Sequence, residues 1–435
     1  MLIVSPRFPP TNAPDCHRVR LLIPYLAAAG FLIEVLAVAP EAVRAPVEIW
    51  LEEGLPKTVP IHRVRCINSS WVPGLGGLSV RSIISLYRAG RRVLTDTSVP
   101  FDLVFFSTTE FPLHVLGPLW KSATGVPFCM DYQDPWVTDY YTTRPEVARP
   151  GGRFKYAVAS WFNRRLEPWV VRDSAGFLAV SRRYLESLAS RYGERLRAPP
   201  GLIEPFPAER QDFDRVAVGE SSPSNESRRV LRYVGAGGDY MRSAASLFFN
   251  VWRDLAAHAS SNGLILEVIG TSYSGRANAA KVFESVAREF ELHEQVTEQT
   301  ARVPYKESLT LLAGSDGIVV FGSDDPAYTA SKLYPCLLAG PPLLAILHED
   351  CPAVAFLKEV GGCDLATFGP ASDLASSHGV VRRFFERVNG RLDPVALVEQ
   401  AFVRYTAKAQ AERVGDWLWK VKQFAELRRT GHVHT

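Results

Sequence analysis

The sequence lacks the patterns that define several large classes of protein. Its 435 residues include six cysteines, and no two of them have CxxC spacing, so neither a zinc site nor a disulfide framework is indicated. No stretch of about 18 apolar residues is present, which leaves no transmembrane helix to predict. The chain starts on a short strand pattern, without the basic start and apolar core of a signal peptide. These absences predict a cytoplasmic protein with free, reduced thiols.

Charge and catalytic motifs exclude further classes. The formal net charge of +3 is too small to indicate a nucleic-acid-binding protein. The sequence has no serine elbow, HExxH zinc motif, Walker loop or kinase motif set. It also has no acidic cluster that argues for bound magnesium, and we therefore expect no metal site.

What the sequence does contain is a repeated alternation of short apolar strands with amphipathic helices. In the first half, the predicted strands are 2–5, 33–38, 103–106, 127–130 and 176–180, and the predicted helices are 15–30, 79–94, 112–123 and 182–192. The alternation restarts after a polar segment at 219–227, with strands at 230–234, 264–269, 295–298, 318–321 and 343–347 and helices at 243–259, 278–290 and 306–313. This pattern favours parallel sheets with helices on both faces.

The length of the chain predicts more than one core. We expect two doubly wound α/β domains that face each other across a cleft, at 1–205 and 230–395, joined by a linker at 206–229. The remaining segment, 396–435, is predicted to be helical and to pack back on the first domain. Ligands bind at the carboxyl ends of parallel strands and in clefts between domains. Polar residues at strand ends are therefore the functional candidates.

Three loops of the second half follow predicted strands and can approach an anion. Glycine-rich strand-to-helix turns let the backbone approach a phosphate, although a plain turn is an equally good interpretation of the first of them. Lys332 follows two acids and a hydroxyl cluster on the third loop, where a solvated helix residue is the alternative. The candidate ligand-binding residues of these loops are Gly235, Gly237, Gly238, Arg242, Gly270, Thr271, Asp324, Asp325, Tyr328, Ser331 and Lys332.

One loop of the first half combines acids with a tryptophan. Asp131, Gln133, Asp134 and Trp136 follow the strand that ends at Met130. Carboxylates accept hydrogen bonds from sugar hydroxyls and the indole offers an apolar face, so this segment suits a hydroxyl-rich ligand. The alternative is that the acids only cap a turn. Other polar candidates for the same edge are Asp15, His17, Thr108, Thr109 and Glu110.

Two segments mix basic and aromatic residues. The segments 144–169 and 81–92 are rich in arginine, and both also contain aromatic or branched apolar residues. Such segments can rest on an anionic membrane, and an ordinary helix with a solvated basic face is the other interpretation.

In their order along the chain, five of these segments resemble the GT-B glycosyltransferases, specifically the retaining family four. They are the loop at 5–10 with Arg18, the strand at 101–104, the Asp131 to Trp136 segment, the segment at 303–316 that includes Val303, and Ala330-Ser331-Lys332-Leu333-Tyr334 with Ala339-Gly340. The resemblance implies two Rossmann-like domains, of which the first binds the acceptor and the second the nucleotide sugar. Val303 joins the donor-site candidates, and Asp131, Gln133 and Asp134 become the catalytic candidates.

The resemblance implies transfer of a sugar from a nucleoside-diphosphate donor to an acceptor hydroxyl with retention of configuration. The family typically needs no metal, and the donor is a substrate, so no cofactor is expected. The acceptor is a glycan, a lipid-linked molecule or a small molecule, and peripheral contact with the inner face of the membrane fits the basic segments. A non-catalytic binding or partner subunit and a sugar-nucleotide epimerase are the alternatives.

The sequence departs from the family at several of these positions. Pro335 stands where the family usually has the glutamate that binds the donor ribose, and Ala236 stands at the place of an arginine. Gln133 replaces a histidine or arginine of many relatives. These departures permit a catalytically weak protein or one with a divergent donor.

Overall fold

The computed structural model describes residues 1–67, 77–138, 152–196, 199–216, 228–256, 263–272, 280–326, 328 and 331–430. The chain divides into two compact units. The first contains Met1–Pro207 and Ala407–Thr435, and the second contains Ala208–Thr406. The polar segment at 219–227 and the basic residues Arg144 and Arg149 lie outside the described residues.

The first unit contains a parallel sheet of seven strands. These are β1 (Leu2–Val4), β2 (Glu34–Val38), β3 (Ile61–Val64), β4 (Val104–Ser107), β5 (Phe128–Tyr132), β6 (Phe177–Ala179) and β7 (Gly201–Ile203). Their order is β3-β2-β1-β4-β5-β6-β7, and every pairing is parallel. The central strands are buried along their whole length because helices cover both faces.

The helices of the first unit form two layers. They are α1 (His17–Ala28), α2 (Leu78–Thr95), α3 (Leu116–Thr124), α4 (Arg153–Asp173), α5 (Arg182–Tyr192) and, at the C-terminal end, α14 (Ala407–Arg429). One hydrophobic core packs the helices α2, α3, α4 and α5 on one face of the sheet, and a second core packs α1 and α14 on the other face. On α14, Trp417 is buried and its indole N–H donates to the carbonyl oxygen of Pro200 at 3.0 Å.

The second unit contains a parallel sheet of six strands. These are β8 (Arg229–Val234), β9 (Leu264–Ile269), β10 (Val296–Gln299), β11 (Gly317–Phe321), β12 (Leu343–His348) and β13 (Asp364–Phe368). Their order is β10-β9-β8-β11-β12-β13. The chain adds strands on one side of β8 up to β10 and then on the other side from β11 onward. The carboxyl ends of β8 and β11 therefore form the topological switch point at which α/β proteins bind ligands.

Helices cover both faces of this sheet as well. They are α6 (Arg210–Asp214), α7 (Arg242–Ala256), α8 (Val282–Glu289), α9 (Tyr305–Ala313), α10 (Leu333–Leu338), α11 (Pro352–Val360), α12 (Leu374–Val388) and α13 (Glu399–Phe402). One core packs α7, α8 and α12 on one face, and another packs α9, α10, α11 and α13 on the other.

The predicted fold class, two doubly wound parallel sheets with a long C-terminal helix, is confirmed. The strands β3, β7 and β13 and the helices α6, α11 and α12 were not foreseen in the sequence, and α6 lies inside the predicted linker at 206–229. The helix α4 overlaps the basic segment 144–169, for which a helix was one of the two interpretations. The segment assigned to C-terminal helices also differs, because α13 belongs to the second unit, where Phe402 is buried, whereas α14 belongs to the first. Among the described helices, none is long and apolar enough to cross a bilayer.

Candidate functional site

The third candidate loop places Lys332 beside the glycine loop that follows β8. Lys332 immediately precedes α10, and its ammonium group donates to the carbonyl oxygen of Ala236 at 3.0 Å and to the hydroxyl of Tyr233. The same nitrogen lies 4.2 Å from the centroid of the Tyr233 ring. The Tyr233 hydroxyl in turn donates to the Ala236 carbonyl oxygen. Lys332 is therefore held at the carboxyl end of β8.

The electrostatic surroundings of Lys332 favour an anion. The pKa of its ammonium group is lowered to about 7, chiefly by burial; Cys336 acts in the opposite direction, and the positive charge of Arg302 makes a smaller lowering contribution. Among the described residues, no carboxylate lies within ion-pairing distance of Lys332. Lys332 is half-buried, and a cation withdrawn from water without a carboxylate partner is costly unless a ligand supplies the negative charge.

The loop after β8 contains two glycines at which a side chain would meet neighbouring atoms. Gly235 has φ of +141°, and a Cβ added there would lie 3.0 Å from the Lys332 nitrogen. A Cβ on Gly237 would lie 2.6 Å from the ring of Phe283. The glycines are therefore required by the backbone conformation and by close packing.

The backbone amides of this loop are less available than the sequence indicates. The N–H of Gly235 donates to the carbonyl oxygen of Ile269 at 2.8 Å, and the N–H of Gly237 donates to that of Thr271 at 3.0 Å. These two amides are committed to the end of β9 and do not point free into solution. An anion at this loop would therefore be recognised chiefly by side chains.

The loop after β9 is tied to the next helix by a buried acid. Thr271 donates its hydroxyl proton to Glu298 at 2.7 Å, and Glu298 also accepts from the backbone N–H groups of Phe283 and Glu284 at 2.8 and 3.2 Å. Burial raises the pKa of the Glu298 carboxyl, and these hydrogen bonds act in the opposite direction. Glu298 thus holds the start of α8 against the loop, and Thr271 has a structural partner.

The remaining donor-site candidates are distributed around this edge. Arg242 forms an ion pair with Glu289 at the surface. Gly270 has φ of +81° and donates its N–H to Gln299. Val303 is half-buried just before α9, Asp324 and Ser331 are exposed, and Gly238 lies next to the Tyr240 ring. Asp325 and Tyr328 are half-buried. The backbone N–H of Asp325 donates to the Ser323 hydroxyl, and that of Tyr328 donates to the carbonyl oxygen of Asp325.

In the first unit, the two acids at the carboxyl end of β5, Asp131 within the strand and Asp134 after it, differ sharply in exposure. Asp131 is fully buried and forms an ion pair with Arg18, which is equally buried, with 3.1 Å between Oδ2 and Nε. Arg18 also donates to the carbonyl oxygen of Glu204 at 2.8 Å. Burial raises the pKa of Asp131, while Arg18 and two hydrogen bonds act to lower it. This pair links β5 to α1 inside the unit.

Gln133 completes a buried polar network around that pair. Its amide N–H group donates to Asp131 at 2.9 Å, to Ser107 at 3.0 Å and to the backbone carbonyl of Asp15 at 3.1 Å. Asp15 in turn accepts from the Thr108 hydroxyl at 3.0 Å. Only 4% of Gln133 and 1% of Asp131 are exposed. These two catalytic candidates are therefore interior residues that position neighbouring groups.

Asp134 is the catalytic candidate that reaches the surface. Its residue is exposed, yet desolvation by the surrounding protein and, second, the negative charge of Asp15 raise the pKa of its carboxyl to about 6. It therefore exchanges its proton close to neutral pH.

An aromatic cluster lies directly after Asp134. The Trp136 ring stacks on Phe111 with centroids 6.0 Å apart and an angle of 12°, and His114 packs against both rings. Burial lowers the pKa of His114 to about 4, so its ring is neutral. Phe111, Trp136 and the α4 residues Tyr156 and Asn163 line a pocket of about 460 Å³. The predicted apolar face of Trp136 is therefore present beside a cavity.

Several residues at these two edges were not foreseen as site residues. Arg302 and Tyr233 flank Lys332, and Glu298 and Arg18 are the buried partners of predicted residues. The only feature of the sequence that could have indicated Arg302 is its position, as a basic residue in the loop between β10 and Val303. Buried partners such as Arg18 carry no local signal, since their role depends on contacts far apart in sequence.

Residues 17–206 match the family described as glycosyl transferase 4-like domain. No curated protein matches the sequence of the chain.

Solved structures of similar fold cover nearly the whole chain. HepE from Anabaena, in complex with UDP and glucose, is 13% identical over 99% of both chains with a TM-score of 0.56. Sucrose-phosphate synthase from Thermosynechococcus elongatus is 14% identical over 100% of this chain and 99% of that chain, with a TM-score of 0.57. WaaG, a glycosyltransferase involved in lipopolysaccharide biosynthesis, is 13% identical over 95% and 98%, with a TM-score of 0.53. The chain therefore has the GT-B fold of these glycosyltransferases, and its residues 17–206 match the glycosyl transferase 4-like domain.

Proposed function

We propose that this protein transfers a sugar from a nucleoside-diphosphate donor to a hydroxyl group of an acceptor, with retention of anomeric configuration. The proposal includes no resident metal ion or cofactor, since the donor is a substrate. The second unit would bind the donor and the first unit the acceptor. A reducing, cytoplasmic setting fits the six free cysteines.

The observation that carries the proposal is the position of Lys332 at the switch point of the second sheet, where no carboxylate of the described residues pairs with it. Lys332 is half-buried beside Gly235, and the positive charge of Arg302 contributes to lowering its pKa. Like charges are brought together at the cost of mutual repulsion, which a bound dianion reverses. A diphosphate has the charge to do so, and loops at this edge of an α/β sheet are where such ligands bind.

The same cations supply the chemistry of the departing group. As the bond from the sugar to the diphosphate breaks, negative charge grows on the leaving oxygen. A protonated Lys332, held by Tyr233 and Ala236, stabilises that charge without moving. Because two backbone amides of the glycine loop are already bonded, Lys332 carries a larger share of this stabilisation than a backbone cradle would leave to it.

On the acceptor side, Asp134 is the candidate for contact with substrate hydroxyls. Its carboxyl is exposed and ionises around pH 6, so at neutral pH it accepts a hydrogen bond from a sugar or acceptor hydroxyl. Asp131 and Gln133 act as positioning residues, because they are buried and bonded to each other. The pocket beside Trp136 offers the acceptor an apolar wall.

Retention rests on the resemblance to family four and has its own test. The anomeric configuration of the first-formed product, followed by NMR, either equals that of the donor or is inverted. An inverted product would overturn the retaining assignment while leaving sugar transfer in place.

The experiment that tests the proposal is turnover with a panel of UDP-, GDP- and TDP-sugars, with and without candidate acceptors, alongside calorimetric titration of the three nucleotides. We expect one nucleotide to bind and its sugar to be transferred or hydrolysed. The Lys332→Met variant should lose this activity, whereas Lys358→Met, a charge removal on α11, should keep it. A chelator should have no effect. A folded protein that binds no nucleotide and turns over no donor would overturn the proposal.

A second candidate is a non-catalytic subunit with the same fold. The observation in its favour is Pro335, which stands in α10 where a ribose-binding glutamate is usual for the resembling family. This candidate predicts that Lys332→Met leaves cellular function intact. An epimerase would instead convert a nucleotide sugar to its isomer without any acceptor.

A further inference from the structure

One layer of helices in the first unit carries most of that unit's excess positive charge. The helices α2, α3, α4 and α5, which cover the same face of the sheet, have four, one, five and three basic residues, thirteen in all, against three acidic ones. One of the acids, Glu167, is buried in an ion pair with Arg191. The whole chain has 49 basic and 46 acidic residues, so charge is strongly segregated onto this layer.

The longest of these helices, α4, exposes a row of apolar side chains that we call the aromatic ridge. It consists of Phe154, Val158, Trp161 and Phe162, which are 81%, 42%, 52% and 51% exposed. Their spacing of three or four residues places them along one side of the helix. The opposite side is the one that packs on the sheet, through Val170 and Val171. The ridge is therefore the outer surface of the layer.

Basic groups surround the ridge. The guanidinium of Arg165 lies 4.5 Å from the centroid of the Trp161 ring, and the Trp161 and Phe162 rings meet edge to face at 4.9 Å. Arg153 and Lys155 are exposed at the start of the helix. Aromatic rings with cationic neighbours suit the interface of a lipid bilayer, where the rings enter the headgroup region and the cations meet lipid phosphates.

The helix α2 repeats the arrangement in the same layer. It has no acidic residue, and Val80 and Ile84 are each 49% exposed, one to three turns before the exposed Arg88 and Arg91. Two helices of one layer thus present apolar groups together with positive charge.

We propose that the layer formed by α2 and α4 docks on an anionic lipid bilayer, with the aromatic ridge inserted at the headgroup level. The uniform sign of the charge favours this occupant. A second copy of the chain would bring the same positive charge against itself, which opposes association. The proposal goes beyond sugar transfer and does not depend on it.

The test is co-sedimentation of the full-length protein with phosphatidylcholine vesicles, with and without phosphatidylglycerol. We expect binding to the anionic vesicles only, weakening as salt is raised. Replacing Phe154, Trp161 and Phe162 by serine should reduce partitioning by about tenfold for each ring that enters the interface. Arg88→Glu with Arg91→Glu should reduce it by at least about fivefold for each basic residue.

A matched control is available on the other face of the same sheet. Trp419 of α14 is 54% exposed, close to the value for Trp161, and Trp419→Ser should leave vesicle binding unchanged. The arginine variant changes only exposed side chains, so it remains informative if the triple serine variant misfolds, which circular dichroism would reveal. Failure of the folded wild type to bind anionic vesicles would overturn the proposal. So would equal loss in the Trp419 variant, or a wild-type dimer in light scattering that the ridge variants convert to monomer.

Discussion

The protonation of Lys332 leads to a prediction in which ligand binding and stability change in opposite directions. Its ammonium group has a pKa of about 7 in the folded protein, against the ordinary 10.5. Above pH 7 the unliganded site is therefore mostly neutral, and a diphosphate that needs the cation must bind together with a proton. We expect the affinity for the nucleotide to fall as pH rises from about 7 toward about 9.

The size of the effect follows from the interaction that is lost. Proton uptake makes the affinity fall about tenfold per pH unit once the site is neutral. The fall levels off when the charged contact is exhausted, and a hydrogen bond to a charged group contributes about 1.5–3 kcal/mol, or roughly 10- to 100-fold. In Lys332→Met, the affinity should be lower at pH 7 by this amount and should lack the pH dependence.

The free energy of unfolding should increase as pH rises, in the opposite direction to the affinity for the nucleotide. Below pH 7 both folded and unfolded chains hold the Lys332 proton, so the folded state bears the full cost of the buried charge. That cost fades between pH 7 and 10.5 as the folded state releases the proton. The shift corresponds to about 5 kcal/mol as an upper bound, and because Lys332 is partly exposed we expect about 2 kcal/mol. The methionine variant should therefore be more stable than the wild type below pH 7.

Calorimetric titration with UDP, GDP and TDP at several pH values measures the first effect, and denaturant unfolding at the same pH values measures the second. Lys358→Met is the control, since its charge is on the surface helix α11. A wild-type affinity that stays constant from about pH 7 to about pH 9, or a methionine variant that is both less stable and equally tight in binding, would refute this account of the site.

Three further predictions concern the first unit. Asp131→Asn leaves Arg18 without its carboxylate inside the core and should cost roughly 3 kcal/mol in unfolding free energy, whereas the same change at exposed Asp96 should cost little. Trp417→Ala removes a buried ring and its hydrogen bond and should cost about 3–5 kcal/mol by denaturant unfolding; a cost below about 1 kcal/mol would contradict the packing of α14 described above. Because the Asp134 carboxyl is ionised only above its pKa of about 6, turnover should fall as pH drops through 6, and Asp134→Asn should remove that inflection.

The fold was largely predictable because its central strands are continuous apolar runs. Strands such as β11 and β12 are buried on both faces, and their apolar sequences indicate this without any knowledge of the neighbours. The strands that the sequence did not reveal, β3, β7 and β13, are all at the edges of their sheets. An edge strand needs less burial, so it is short or includes polar residues such as His62 and Arg63.

The site was predictable only where local sequence fixes it. Glycine, acid and lysine residues that directly follow a strand, such as Gly235 and Lys332, lie at the expected edge. Glu298 and Arg18 could not be found in this way, since a charged residue within an element carries no mark of burial. Their partners come from 14 to 186 residues away, and only the folded contacts identify them.

The differences between this chain and the family that it resembles make donor binding depend on one residue, Lys332. Ala236 stands where the family that the sequence resembles usually has an arginine, Arg242 forms an ion pair with Glu289, and the amides of Gly235 and Gly237 donate to Ile269 and Thr271. Each of these removes a group that could share the charge of a diphosphate. What stays in place is Lys332, with the charge of Arg302 close by. If the protein is a transferase, its donor binding should therefore be unusually sensitive to the protonation and loss of this single lysine, and a family member with a basic phosphate loop should tolerate the same change better.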